Sequence, residues 1–165
     1  MNNSIVLVKT RMIREFQDIK SSIECRKRDP DTEEATKTWY ILKILKSLWY
    51  KDEDIIPEFV CDFTEKGEKV DYALMIGEIP IIIVEAKKFN AKFSQQCFRQ
   101  LARYYSASES KVAVWTNGLE YRFYTDMDKI NIMDEEPFFM FNMLDYTDED
   151  INKFFVFHRK YIETY

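Results

Sequence analysis

Glycine, proline, cysteine and histidine are all scarce in this chain, and each shortage removes a class of explanation. Three glycines and four prolines leave no Gly/Ser linker, no repeat and no low-complexity tract, so nearly all of the chain is expected in regular elements. The cysteines, Cys25, Cys61 and Cys97, are odd in number and widely spaced. Without a CxxC pair they offer neither a zinc ribbon nor a thioredoxin-like site. They read as free thiols in a reducing compartment. His158 is the single histidine, which excludes His-rich metal sites and leaves a Ser-His-Asp or Cys-His centre without a motif around it. It is expected on a helix surface. No apolar run approaches the roughly 20 residues of a membrane span. "SIVLV" near the start is too short for a signal-peptide core, and no small-residue cleavage site follows it. The expectation is a cytoplasmic protein with no membrane partner. Basic residues are not in excess either: the net charge of −5 argues against a general nucleic-acid coat, although a carboxylate site that holds cations would itself make the total more negative.

What the chain does have is apolar mass. Hydrophobic residues make up 46% and aromatics 16%, enough for a globular protein with one sizeable core, read as one domain over 1–165 with residues 1–30 as an N-terminal helical extension. Trp39, Trp49 and Trp115 are expected in that core more than on a base-stacking surface. Met12, Ile13, Phe16, Ile19 and Ile23 recur at three- and four-residue spacing and predict an amphipathic helix over 9–25. "KRDPDT" breaks it, with Asp31 or Thr32 as N-cap. A second helix follows from Glu33 to about Tyr50, with Ala35, Thr38, Leu42, Leu45 and Trp49 along one face. Strands are expected over 58–63, 69–76 and 80–87, joined by short turns at Gly67 and Gly77 and therefore antiparallel. Helical spacing returns over 92–108, a strand pair surrounds Gly118, and a helix over 148–162 closes the chain. The fold class is an α/β sandwich with the third strand, buried on both faces, near the sheet centre.

The end of that strand, "IIIVEAKK", is where chemistry is to be expected. Ile81, Ile83, Glu85 and Lys87 share one face of the strand, with Glu85 and Lys87 about 7 Å apart along it. Asp71 lies at the same end of the hairpin. An odd loop around Gly77, three residues for instance, sets Asp71 opposite Glu85, whereas a two-residue loop sets it opposite Val84. Pro80 disfavours the tightest hairpin, so the odd loop is expected. Two carboxylates with backbone oxygen and water suit Mg²⁺ or Mn²⁺. Lys87 would orient a water or offset charge on a phosphate. On spacing alone, a surface salt bridge among Asp71, Glu85 and Lys87 explains the same residues.

The stretches "TEEATK", "PEF", "GEKVDYAL", "VEAKK", "QLARYY", "TNGLEYRFYTD" and "MDEEPF" follow one another over roughly residues 31–160. In this order they resemble the PD-(D/E)xK nuclease superfamily, and more narrowly the N-terminal nuclease domain of the restriction subunit of type I restriction enzymes and its stand-alone relatives. The resemblance implies a restriction-endonuclease-like αβββαβ core, a central mixed sheet flanked by helices, with added N- and C-terminal helices. It makes Asp71 and Glu85 the metal-binding pair for Mg²⁺ or Mn²⁺ and Lys87 the catalytic lysine. Gln100 and Tyr104 match a Q-x-x-x-Y motif, and their spacing puts them on one helix face. The family also uses a glutamate on the preceding helix. Glu34, on the face of Thr38, Ile41 and Leu45, is preferred to Glu33, although acidic residues in a first turn are favoured by the helix dipole in any case. The superfamily's Pro-Asp is Val70-Asp71 here. Arg99, Arg103, Lys88 and Lys92 are the local basic groups for phosphate; a solvated helix face explains them equally.

The resemblance therefore implies a Mg-dependent nuclease acting on DNA, with RNA open as a substrate. The alternative is a nuclease-like DNA-binding or assembly module that does not cut. Type I subunits continue into helicase motor domains that these 165 residues do not include, so ATP-driven translocation is not expected of them; a homodimer or a separate partner subunit stays open.

Overall fold

The helix predicted from residue 9 begins earlier: in the computed structural model, which describes residues 3–25, 29–61 and 67–163, α1 covers Asn3–Cys25. Its stripe is the expected one, with Met12, Phe16, Ile19 and Ile23 buried. Thr32 caps the next helix, accepting a hydrogen bond from Ala35 N at 3.0 Å, and Glu33 and Glu34 in the first turn suit its dipole. That helix is not uniform. It runs through α2 (Glu33–Thr36), a π turn (Lys37–Ile41) and α3 (Leu42–Ser47).

The buried face of this segment differs from the expected one. Thr36, Tyr40, Ile41, Ile44, Leu45 and Leu48 face the core, while Thr38 and Trp39 are exposed. A π turn takes more residues than an α turn, which rephases the side chains on either side of it. Trp49 lies past the helix end with φ of 66° and is exposed as well, so Trp115 is the one buried tryptophan of the three.

A 3₁₀ turn (Asp52–Asp54) leads into β1 (Ile55–Val60), which starts three residues before the predicted 58–63. Residues 62 and 63 of that prediction lie outside the described residues. Pro57 is tolerated because β1 is a sheet edge. Then come β2 (Lys69–Ile76), β3 (Ile79–Ala86), α4 (Gln95–Ser106), β4 (Val112–Thr116) and β5 (Glu120–Tyr124), all close to the predicted spans. A sixth strand, β6 (Phe139–Asn142), was not predicted; Phe139 and Phe141 point inward and Met140 outward.

The closing helix is two pieces, α5 (Asp148–Phe155) and α6 (Arg159–Ile162). His158 sits at the break. It is buried at 1% exposure, its ring is 5.5 Å from that of Trp49, and Nδ1 accepts from Lys160 N at 3.2 Å, so the expected helix-surface position is corrected. A backbone at φ −62°, ψ 131° turns the histidine inward as the cap of α6.

The six strands lie in sequence order, β1 to β6, and each neighbouring pair is antiparallel except β3 with β4. That parallel pair needs a crossover, and α4 supplies it. The sheet is therefore mixed, with β3 inside it. Side-chain alternation sorts two cores. Ile82, Val84 and Val114 pack with α1, α3 and α5, whereas Ile83, Ala113 and Trp115 pack with Leu101, Tyr104 and Tyr105 of α4. This is the α/β architecture of a restriction-endonuclease-like core.

Candidate active site

The β2–β3 hairpin decides whether the two strand carboxylates meet. Its turn is the tight two-residue form, Gly77-Glu78, with Ile76 paired to Ile79, and so corrects the odd loop expected from Pro80. Gly77 takes φ of 61°, which a two-residue hairpin turn requires of its first residue. Met75 then pairs with Pro80 but Leu74 with Ile82, leaving Ile81 as an extra residue in β3. This β-bulge shifts the register by one residue. Beyond it Tyr72 faces Val84, and the next position of the ladder sets Asp71 opposite Glu85. The juxtaposition is as expected, and a bulge produces it instead of an odd loop.

Glu85, at 3% exposure, continues the α4-facing row of Ile83. Lys87 Nζ donates to Glu85 Oε1 at 2.5 Å. Burial pushes the Glu85 carboxyl up to about 7, against the opposing pull of Lys87; the charges of Asp71 and Glu33 add to the rise. For Lys87, burial acts to lower the pKa, but the bond to Glu85 and the surrounding carboxylates together raise it. Asp71 uses both oxygens: Oδ2 accepts from Ala86 N at 2.7 Å and Oδ1 from Lys37 Nζ at 2.9 Å.

Of the two helix glutamates, Glu34 is 79% exposed and Glu33 40%. Glu34 bonds Lys37 from outside, so it does not point toward the sheet as its helical phase suggested. Glu33 is the more enclosed: burial raises its carboxyl, with Lys87 opposing and Asp71 adding to the rise. Sequence reasoning missed Lys37. A lysine in the first turns of a helix carries no signal of its own, and only the fold shows it against Asp71.

Three ties hold these elements in place. The Thr36 hydroxyl accepts from Phe89 N at 2.8 Å, fastening the start of the helix to the segment after β3. Lys87 N donates to Thr116 O at 2.8 Å. Asn117 Nδ2 donates to Ala91 O, while its Oδ1 accepts from Leu119 N and Glu120 N. The "TNG" turn thus braces the segment that carries Lys87. Gly118, at φ 79°, lies so close to the helix that a Cβ there would stand 2.8 Å from Thr36 Cγ2.

On α4, Gln100 Nε2 donates to the Tyr104 hydroxyl at 2.9 Å. Burial raises the Tyr104 phenol against the bond from Gln100, and the charge of Glu85 acts in the same direction as burial. Arg103 is paired with Glu68 at 3.1 Å. Arg99, Lys88 and Lys92 are exposed.

Among the described residues, no three His, Cys, Asp or Glu side chains converge into a ready-made metal cage. Facing carboxylates on Asp71 and Glu85 are nonetheless hard oxygen donors of the kind Mg²⁺ accepts, since it keeps several waters and binds through one or two carboxylates plus substrate phosphate. The donor set fits such an ion. Among the described residues no helix is long and apolar enough to cross a membrane.

A family model described as type I restriction enzyme R protein N terminus matches residues 32–137, more than half of the chain. The match runs from the cap of α2 to the segment before β6 and takes in each strand-borne residue described above. No curated protein and no solved structure matches the chain.

Proposed function

From a chain that belongs to the family of the type I restriction enzyme R protein N terminus, and so carries a nuclease-like domain, we propose a metal-dependent nuclease that hydrolyses phosphodiester bonds in DNA. The observation that carries this reading is the bulge-set register, Tyr72 opposite Val84, whose continuation puts Asp71 across from Glu85, with Asp71 Oδ2 accepting from Ala86 N and Lys87 bonded to Glu85. Asp71 and Glu85 would hold Mg²⁺ or Mn²⁺. When bound, such an ion polarises a phosphoryl oxygen and lowers the pKa of a water. Lys87 presents an ammonium beside Glu85, suited to orient the attacking water and to offset charge developing on the phosphate. Glu33, from the helix, would accept a proton or hold a water, the charges of Lys87 and Asp71 both acting on its carboxyl. Gln100 and Tyr104 would offer an amide and a hydroxyl from α4, and exposed Arg99, Lys88 and Lys92 suit DNA phosphates.

A second reading, a nuclease-like module that binds or assembles without cutting, draws support from the net charge of −5 and from the pairing of Arg103 with Glu68. Incubation with supercoiled, linear and single-stranded DNA, and then RNA, in Mg²⁺ or Mn²⁺ separates the two. The nuclease reading expects metal-dependent cutting that chelator stops and that Glu85→Ala lowers at least about a hundredfold, with the melting curve retained. Equal cutting by wild type and Glu85→Ala, or none by wild type on any substrate, goes against it.

A further inference from the structure

The expected chemistry of the site leaves Lys37 without a role. Its ammonium stands 2.9 Å from Asp71 Oδ1, bonds Glu34, and has Glu33 at 4.0 Å. At 12% side-chain exposure it is enclosed. Its direction is built in as well. Thr36, the residue before it, is fixed to Phe89 N, and a π turn begins at Lys37 itself. π turns inside helices are frequent at functional sites.

The charges around it are unequal in number. Glu33, Glu34, Asp71 and Glu85 share two ammonium groups, those of Lys37 and Lys87. Lys87 bonds Glu85, whereas Lys37 bonds the facing carboxylate, Asp71. If all four carboxylates are ionised, the cluster is short by two positive charges, the charge of one divalent cation. An ammonium bonded to Asp71 Oδ1 uses a lone pair that a cation would take, and it repels that cation across a few ångströms.

Resting on the nuclease reading, we infer that Lys37 is a positioning residue that substitutes for the divalent cation: it neutralises and orients Asp71 while the site is metal-free and gives way when the cation binds. It therefore sets how tightly the cation is held. A lysine that only staples the helix to β2 would have no such effect, since breaking a staple loosens the metal ligand and weakens binding.

The two roles differ in sign. Calorimetric titration of the full 165-residue chain with MnCl₂ at low salt compares wild type with Lys37→Gln, which keeps a donor and loses the charge, and with Lys37→Arg, which keeps the charge. Lys37→Gln is expected to bind Mn²⁺ on the order of tenfold more tightly, comparable to the effect of one neighbouring charge on a carboxylate's proton affinity. Lys37→Arg is expected within about threefold of wild type. Without metal, Lys37→Gln should melt lower than wild type, and excess Mn²⁺ should raise its Tm by more than it raises the wild-type Tm. Unchanged or weaker Mn²⁺ binding by Lys37→Gln, with wild type binding, overturns the role of Lys37 and leaves the metal site standing. Failure of wild type and both variants to bind at millimolar Mn²⁺ overturns the inference together with the metal reading it rests on.

Discussion

His158 is a buried imidazole whose Nδ1 accepts a backbone N–H, so its proton sits on Nε2, which finds no partner among the described residues. Burial, with the charge of Lys160 acting in the same direction, holds it down to about 4. The sign of the consequence is fixed. An unfolded chain takes up this proton near pH 6.5 and the folded chain does not until about 4, so the full contribution is present above 6.5 and is lost as pH falls through that window. Between pH 7.5 and 5 the loss is about 2 kcal/mol. Urea unfolding at both pH values should show it in wild type and lack that share in His158→Gln; identical pH dependence in the two proteins contradicts the assignment. The same residue marks a limit of reading from sequence. "FFVFHRK" has helical spacing, and nothing in it signals that the helix breaks at His158 and turns the ring under Trp49. The position of Glu85 and Lys87 at the end of a buried strand was legible from the apolar run before them, although their spacing alone fits a salt bridge as well. Lys37 was not, because its partner Asp71 is 34 residues away and only the fold joins them.

Between the elements, the decisive feature is the one-residue bulge at Ile81. The strands β2 and β3 were legible from β-branched runs and turn glycine, and so was the end at which Asp71 and Glu85 emerge. The device that aligns them was not, since Pro80 disfavours a tight turn in general yet is accommodated here next to the bulge. The π turn and the four-residue β6 were missed for related reasons: one alters a helical period that the sequence pattern assumes constant, and the other is too short for alternation to register. A further test addresses the contact between the "TNG" turn and the site helix. Gly118→Ala puts a Cβ 2.8 Å from Thr36 Cγ2 at a backbone φ of 79°. The expected cost is about 1–3 kcal/mol in unfolding free energy, with displacement of the helix that carries Glu33 and Lys37. Chemical denaturation measures the first, and a drop in metal-dependent cleavage beyond what the folded fraction explains reports the second. A fully stable, fully active Gly118→Ala shows that this packing does not hold the site.

For the whole molecule, a mixed sheet between two helical layers brings the N-terminus of one helix, the ends of β2 and β3, and one face of α4 to a single sheet end. The order of elements was legible because the chain alternates helical and strand periods with few glycines or prolines to blur them. The charge layout is the unusual part. On the proposed nuclease reading, a protein of net charge −5 sets carboxylates where a phosphate would approach, and binding to nucleic acid is expected to depend on the cation far more than on surface lysines. The proposed nuclease stands on Asp71 and Glu85, aligned by the bulge, holding that cation. Anomalous X-ray scattering from crystals of the protein soaked in Mn²⁺ tests it most directly. A peak is expected between the Asp71 and Glu85 carboxylates, with the Lys37 ammonium withdrawn from Asp71; no peak at those residues, with Lys37 still bonded to Asp71 at saturating Mn²⁺, rules the metal site out.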